Sequence, residues 1–138
     1  MSQLDLTYND IGPDGARSLA FCLTRNNTLR RLVLRHNLIR DAGCESLAHA
    51  LTSSNSSLIE LSLAANGMTD VAAQALGTML ASNTTLCRLD VSANVFGQVY
   101  TSPHSMPALN HYHKSYITHC ITHCAAVGLS VVLSHACL

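Results

Sequence analysis

The chain has 138 residues, and its eight basic and eight acidic side chains leave no formal net charge. The length favours one domain, and the balanced charge excludes a broad basic field that would attract nucleic acid or an anionic membrane.

The N-terminus has no basic stretch followed by an apolar core, so no secretory signal is predicted. We therefore expect a cytoplasmic location, with the nucleus as the alternative, and six cysteines kept as thiols. Cys22, Cys44 and Cys87 occupy repeat positions that favour small apolar residues and are expected to be packed.

The first predicted element is a short strand at residues 4–6, and the same segment returns at residues 32–34, 61–63 and 89–91. Its Leu-x-Leu alternation places the leucines on one face and the residue between them on the other. We expect the apolar positions to point inward. One buried column would then contain Leu6, Leu34, Leu63 and Val91.

An asparagine follows each predicted strand, and the four asparagines recur at steps of 28, 29 and 28 residues. A polar side chain that returns in every unit is better explained by bonds to the backbone of adjoining turns than by a ligand site. We therefore predict a structural asparagine ladder. Its members are Asn9, Asn37, Asn66 and Asn94.

A turn and then a helix are predicted after each of the first three asparagines, from apolar residues at helical spacing. These residues are Leu19, Ala20 and Leu23; Leu47, Ala48 and Leu51; and Leu76, Gly77 and Leu80. Pro13 suits the first helical position, and Asp41 and Asp70 are expected as N-caps.

The combined pattern resembles the leucine-rich repeat superfamily, in particular the ribonuclease-inhibitor subtype found also in NOD-like receptors and the Ran GTPase-activating protein. The resemblance covers residues 3–97 and implies an α/β solenoid, with a curved parallel sheet inside and helices outside. It implies an architecture rather than one function. We expect residues 1–97 to form about three and a half repeats, and residues 98–138 to form an irregular tail.

Three segments match the N-glycosylation pattern, beginning at Asn26, Asn55 and Asn83. All three fall at one repeat position just past the predicted helix, where polar chain-turning residues are favoured. We interpret them as a product of the repeat.

Strand residues between the leucines are expected to line the concave face and to offer the binding surface. The partner-binding candidates are Tyr8, Arg31, Val33, Arg35, His36, Glu60, Arg88 and Asp90. Arg31, Glu60 and Arg88 share one repeat position, and in one interpretation this row of alternating charge is self-contained. In the other, Arg31, Arg35 and His36, next to Tyr8, anchor an acidic or mixed protein partner, a composition enriched at hot spots.

No catalytic residue and no cofactor are predicted. His36 and His49 have no carboxylate or nucleophile at a spacing that suggests catalysis. A Gly-rich phosphate loop is also lacking. We therefore expect the chain not to be an enzyme.

The tail carries one charged side chain, Lys114, and breaks the repeat period. Residues 117–124 contain weak zinc candidates, since imidazole and thiolate are the ligands zinc prefers. These are His119, Cys120, His123 and Cys124. On a helix they project from one narrow arc and could not surround a tetrahedral ion unaided, so no metal site is predicted.

The most apolar stretch of the tail, residues 125–138, is shorter than the roughly 20 residues that span a bilayer. No membrane partner is therefore expected. We expect this stretch to form a short helix or strand on the edge left exposed by the fourth unit.

The sequence as a whole predicts an intracellular interaction module that binds a protein partner on its concave face. One alternative is a fragment or short form of a larger regulatory protein, such as an innate immune sensor or a GTPase-activating module. Another is a truncated product with no independent function.

Overall fold

The computed structural model describes residues 2–96 and 130–132. These residues form five short strands and three helices. The strands are β1 Gln3–Asp5, β2 Arg31–Val33, β3 Glu60–Ser62, β4 Arg88–Asp90 and β5 Ser130–Val132, and the helices are α1 Pro13–Leu23, α2 Arg40–Ser53 and α3 Asp70–Ser82. Among the described residues, no helix combines the length and apolar character that crossing a membrane requires.

The strands form one parallel sheet in chain order, from β1 to β5. Residues at equal repeat positions lie side by side: Leu4 pairs with Leu32, and Leu61 pairs with Leu32 and Leu89. We call residues 3–30 unit 1, 31–59 unit 2 and 60–87 unit 3; unit 4 starts at residue 88. One strand and one helix per unit give the predicted α/β leucine-rich-repeat solenoid.

β5 extends the sheet beyond unit 4, with Ser130 opposite Arg88. The step between these two residues is longer than the steps of 28 or 29 in the other units. A strand of the tail thus pairs with the open edge of β4, the place where the sequence predicts its apolar end. The remaining tail residues lie outside the described part, so the domain boundary at residue 97 stays a prediction.

The core lies between the sheet and the helices. Leu34 and Leu63 are fully buried and Val91 is 4% exposed, which confirms these members of the predicted column. Leu6 is half-buried, because it directly follows β1, which lies at the edge of the sheet. Leucines of the strands therefore join the units through continuous apolar contact.

The helix starts agree with the sequence at α1 and differ at α2 and α3. Pro13 begins α1 as predicted. In α3 the N-cap is Thr69, whose side chain accepts a first-turn backbone hydrogen bond, so the predicted cap Asp70 is wrong. The predicted cap Asp41 is also wrong, because α2 has Ile39 as its N-cap and the Asp41 carboxylate bonds to Thr69 of the next unit.

The approach of α1 to α2 requires a residue without a side chain. A Cβ atom on Gly43 would lie 2.9 Å from the Cβ of Ala16 and 3.2 Å from the Cα of Pro13. Both distances are shorter than ordinary contacts, so a larger residue would push the helices apart. The close spacing of the units thus depends on this glycine.

The cysteines divide into one buried and two exposed thiols in the described residues. Cys44 is buried as predicted, whereas the packing predicted for Cys22 and Cys87 is wrong. Ala50 holds the Cys22 position in α2 and is buried, but α1 contacts only α2 among the described helices, which leaves Cys22 open to solvent. Cys87 holds the same exposed position as Ile59.

Candidate functional site

Asn37 shows how a ladder asparagine joins two units. Its side-chain oxygen accepts hydrogen bonds from the backbone N–H groups of Asn9 and Ile11, both at 3.0 Å. Its amide nitrogen donates to the carbonyl groups of Leu6 at 2.9 Å and Leu34 at 3.0 Å. Since Asn37 is 4% exposed, these bonds satisfy backbone groups that stacking removes from water.

The next units repeat this arrangement. The side-chain oxygen of Asn94 accepts hydrogen bonds from the N–H groups of Asn66 at 2.9 Å and Met68 at 3.1 Å. Asn66 likewise accepts a hydrogen bond from Ile39 at 3.3 Å. Asn9 differs because it is exposed and its amide donates within its own unit. The ladder thus fixes each turn after a strand against the next unit.

Each ladder asparagine follows a residue in the left-handed backbone region. The φ angles of Tyr8, His36, Ala65 and Ala93 are 58°, 52°, 54° and 55°. Residues other than glycine rarely adopt this conformation, and here neighbouring bonds hold it. The N–H of His36, for example, donates to the carbonyl of Ala64 at 3.0 Å. The four side chains consequently occupy equivalent positions in successive units, along a rim of the concave face.

Tyr8 and His36 stack at this rim. Their ring centroids lie 4.3 Å apart, and the ring planes are inclined by 10°. Tyr8 is 72% exposed, and His36 is also exposed. The pair is a flat aromatic surface whose rotamers are restricted by the stack, so contact with a partner would cost little additional side-chain entropy.

Arg31, Glu60 and Arg88 form a continuous row of ion pairs. The Nε atom of Arg31 lies 3.0 Å from one carboxylate oxygen of Glu60, and Nη1 of Arg88 lies 3.4 Å from the other. One carboxylate therefore bridges two cations. Exposed ion pairs contribute only about 0 to 1 kcal/mol, so this row affects the charge pattern of the face more than its stability.

The two aspartates of the concave face are bound within the chain. The hydroxyl of Thr7 donates to Asp5 at 2.6 Å, and the Thr7 N–H donates to it at 3.0 Å. These hydrogen bonds lower the pKa of Asp5 from its ordinary value of 3.8. Asp90 accepts bonds from the N–H and hydroxyl of Ser92 at 3.1 and 2.6 Å, and from the hydroxyl of Ser62 at 3.1 Å.

Arg35 differs from the other cations of this face. Its side chain is exposed, and no side chain of the described residues accepts a hydrogen bond from its guanidinium; its charge acts on Asp5 from a distance. Arg35 directly precedes His36, and its carbonyl accepts a hydrogen bond from the Tyr8 N–H at 3.1 Å. The backbone of Arg35 is thus bonded to Tyr8, and its open guanidinium belongs to the residue next to His36 in the chain.

Val33 is the candidate that the structure removes from the accessible surface. It is 5% exposed, because β2 is flanked by strands on both sides, with Asp5 and Ser62 in register. Ala64, on the same face, is 1% exposed. Val33 itself therefore offers almost no accessible surface on this face.

A second row of asparagines holds the turns between helix and strand. Asn55 donates to the carbonyl groups of Leu23 at 2.8 Å and Asn26 at 3.0 Å, and accepts a bond from the N–H of Leu58 at 3.0 Å. Asn83 repeats this role in unit 3. The sequence predicted these residues only as turn formers. The steps of 29 and 28 residues from Asn26 to Asn55 and Asn83 nevertheless indicate a second asparagine ladder, as the equal steps of the first ladder did.

The described residues contain no group of three or more His, Cys, Asp and Glu that could hold a metal ion. The tail candidates His119, Cys120, His123 and Cys124 lie outside these residues. His49 lies on the helical side, between a groove of about 430 Å³ beside α1 and one of about 390 Å³ beside α3. It is therefore on a different face from His36.

Comparison with known proteins supports the repeat assignment. The family model described as Leucine Rich repeat matches residues 1–20, 25–48 and 54–77. The FERM domain-containing protein C of Dictyostelium discoideum is 30% identical over 98 residues, and RAN GTPase-activating protein 2 of Arabidopsis thaliana is 24% identical over 95 residues. These matches cover 71% and 69% of this chain, but only 7% and 17% of the two relatives.

A similar solved structure is that of leiomodin-1 actin-binding site 2, with a TM-score of 0.76 and 16% identity. The match covers 97% of this chain and 70% of that one, and at this identity it shows the fold alone. Leucine-rich repeats generally mediate protein–protein interaction. Since the family model matches all three units and agrees with the observed period, the chain belongs to the leucine-rich repeat superfamily and has the repeat length of its ribonuclease-inhibitor-like subtype.

Proposed function

We propose that this chain binds an acidic protein partner through its concave face and catalyses no reaction itself. The observation that supports this most is that Arg35, whose guanidinium is open, directly precedes His36 of the Tyr8–His36 stack. Arginine and tyrosine are enriched at binding hot spots. The family provides the general role of interaction, and the chemistry of the partner comes from the residues of this face.

The charges of the face favour a carboxylate on the partner. Glu60 is already shared by Arg31 and Arg88, and both aspartates are occupied by hydroxyl and N–H donors of the chain itself. The carboxylates of the face therefore already have hydrogen-bond or ion-pair partners within the chain, whereas the donors of Arg35 remain open. A carboxylate can accept two parallel hydrogen bonds from such a guanidinium.

We further propose an intracellular site of action, in the cytoplasm or the nucleus. Asn55 heads one of the glycosylation patterns, yet it is 5% exposed and its amide donates to two carbonyl groups. A glycan could not be attached there without breaking the turn. The pattern at Asn55 thus has a structural explanation, which removes one argument for secretion.

A second proposal is that the chain is a module of a larger regulatory protein, for example a GTPase-activating one. It is supported by the 24% identity to RAN GTPase-activating protein 2 over 95 residues. Stimulated GTP hydrolysis by a small GTPase, measured with and without the purified chain, separates this proposal from simple binding.

The concave-face proposal is tested by a double substitution, Arg31→Glu with Arg35→Glu. Proteins captured from cell extract by the intact chain are identified, purified and titrated with each variant. We expect the substitution to abolish binding while circular dichroism stays unchanged, because both side chains are exposed and charge reversal repels an acidic partner.

The matched control is Arg17→Glu with Arg25→Glu, which makes the same charge change at exposed positions on and just after α1. This control should bind as the intact chain does. Binding lost in the control and retained in the concave-face variant would place the site on the helical side and refute the proposal.

A further inference from the structure

Asn66 differs from the other ladder asparagines in the residue that follows it. Gly67 comes next, whereas Asn9, Asn37 and Asn94 are followed by aspartate, leucine and valine. Asn66-Gly67 is also the only Asn-Gly pair in the chain. Asparagine is among the chemically labile residues of proteins, and the neighbour on its C-terminal side determines how readily it reacts.

The reaction is deamidation. The backbone nitrogen of the next residue attacks the side-chain carbon Cγ, ammonia leaves, and a cyclic imide forms. Water then opens the imide to aspartate or isoaspartate, so an amide is exchanged for a carboxylate with water as the only co-reactant. Glycine has no side chain to obstruct this attack. Gly67 is exposed and has a φ of 65°.

In the folded chain the Asn66 amide is held away from this attack. It is 1% exposed. Its nitrogen donates to the carbonyl groups of Leu34 at 2.8 Å and Ala64 at 3.1 Å, and its oxygen accepts a bond from the N–H of Ile39 at 3.3 Å. Two of these three partners belong to unit 2, so the amide is released only when units 2 and 3 separate.

We propose that Asn66 is a deamidation site gated by the opening of the stack between units 2 and 3. The product cannot restore the stack. A carboxylate donates no hydrogen bond, so the carbonyl groups of Leu34 and Ala64 would face a buried negative charge. Isoaspartate would also lengthen the backbone by one atom. Opening followed by deamidation is therefore a one-way modification of the repeat.

The modification would reach the rim of the concave face. The carbonyl of Ala64 accepts hydrogen bonds from both the Asn66 amide and the N–H of His36. Losing the first bond removes one of the two donors that position this carbonyl, to which the His36 N–H is bonded. The left-handed backbone that carries the aromatic stack would consequently be less restrained.

The test compares the reaction in native buffer and in urea, both mildly alkaline, by peptide mass mapping of the amide-to-acid change. Asn37 and Asn94 serve as controls within the same chain. In urea we expect Asn66 to react at least about tenfold faster than either control, and folding to slow its reaction at least about tenfold. Equal rates at Asn66 with and without urea, or no excess over the controls in urea, would overturn the proposal.

The variant Asn66→Asp tests the consequence separately. Amide hydrogen exchange should accelerate at His36 and Ile39, whose N–H groups bond at this junction, and remain unchanged at Ala16 within α1. Unchanged exchange at both junction residues in a folded variant would show that the product is accommodated, which contradicts the proposed one-way change. A variant that fails to fold would support it, provided that the mass mapping gives the expected rates.

Discussion

Asp41 of α2 accepts two hydrogen bonds from Thr69, the residue that caps α3. The Thr69 N–H donates at 2.7 Å and its hydroxyl at 2.8 Å, to the two different carboxylate oxygens. The hydroxyl oxygen of Thr69 also accepts a bond from the N–H of Val71 at 3.4 Å. One carboxylate in unit 2 therefore positions the residue that starts the helix of unit 3.

Asp41→Ala should lower the free energy of unfolding by about 1.5 to 3 kcal/mol, the range for hydrogen bonds to a charged group. Urea titration measures the change. The matched control is Asp14→Ala, which removes an exposed carboxylate paired with Arg17 on α1 and should cost at most about 0.5 kcal/mol. Equal losses in both variants would show that the contact with Thr69 contributes nothing.

Leu63→Ala should cost about 2 to 5 kcal/mol, because the side chain is fully buried and its loss leaves a cavity. Leu38→Ala makes the same chemical change at a residue that is 49% exposed and should cost far less. Denaturant titration of both variants gives the comparison. A cost below about 1 kcal/mol for Leu63→Ala would mean that β3 is not central to the core.

The repeat positions that recur in every unit could be predicted from the sequence because each has one physical role. The inward leucines and the ladder asparagines repeat at fixed steps, and stacking gives equal positions equal surroundings. Helix starts were less predictable. Asp70 has the residue type of an N-cap, but the residue before it, Thr69, has it too and is the N-cap of α3.

Exposure on the concave face depends on neighbours in other units, which the pattern of one unit does not contain. Val33 alternates correctly with Leu32 and Leu34, yet it is 5% exposed between two flanking strands. Cys22 shows the opposite effect, since its equivalent Ala50 is buried. The Tyr8–His36 stack could not be predicted from the sequence either, because it depends on the left-handed backbone of both residues.

Asn37→Ala should destabilise the chain by several times as much as Asn9→Ala. The first change removes the acceptor for two N–H groups and the donor for carbonyl groups of both units, at a residue that is 4% exposed. Each buried group left unpaired costs about 1 to 3 kcal/mol. Asn9 is exposed and its side chain donates only within unit 1. Thermal unfolding of the two variants should rank them in this order; the reverse order would contradict the ladder.

Deleting residues 98–138 removes β5, which pairs with β4 through a parallel ladder. The exposed N–H and carbonyl groups of β4 would then be available to other chains. We expect the repeat signature in circular dichroism to persist while association rises with concentration in analytical ultracentrifugation. Complete loss of secondary structure would show instead that the tail is an integral part of the solenoid.

The buried thiol of Cys44 predicts a loss of stability at alkaline pH. Burial, assisted by the charges of Asp41 and Glu45, raises its pKa from 9.0 to about 12. Between these values the unfolded chain releases the thiol proton and the folded chain keeps it. The contribution is therefore complete below pH 9.0 and is lost as the pH rises toward about 12, with a slope of at most about 1.4 kcal/mol per pH unit.

Cys44→Ala isolates this effect, because every other titrating group is common to both proteins. The difference in unfolding free energy between wild type and variant should shrink as the pH rises above 9.0, measured by urea titration at several pH values. Alkylation of the folded chain provides a second measurement: Cys22 and Cys87 are exposed and should react, while Cys44 should stay protected until the chain unfolds. A constant difference across the alkaline range, or rapid alkylation of native Cys44, would show that this thiol is not held in a buried, protonated state.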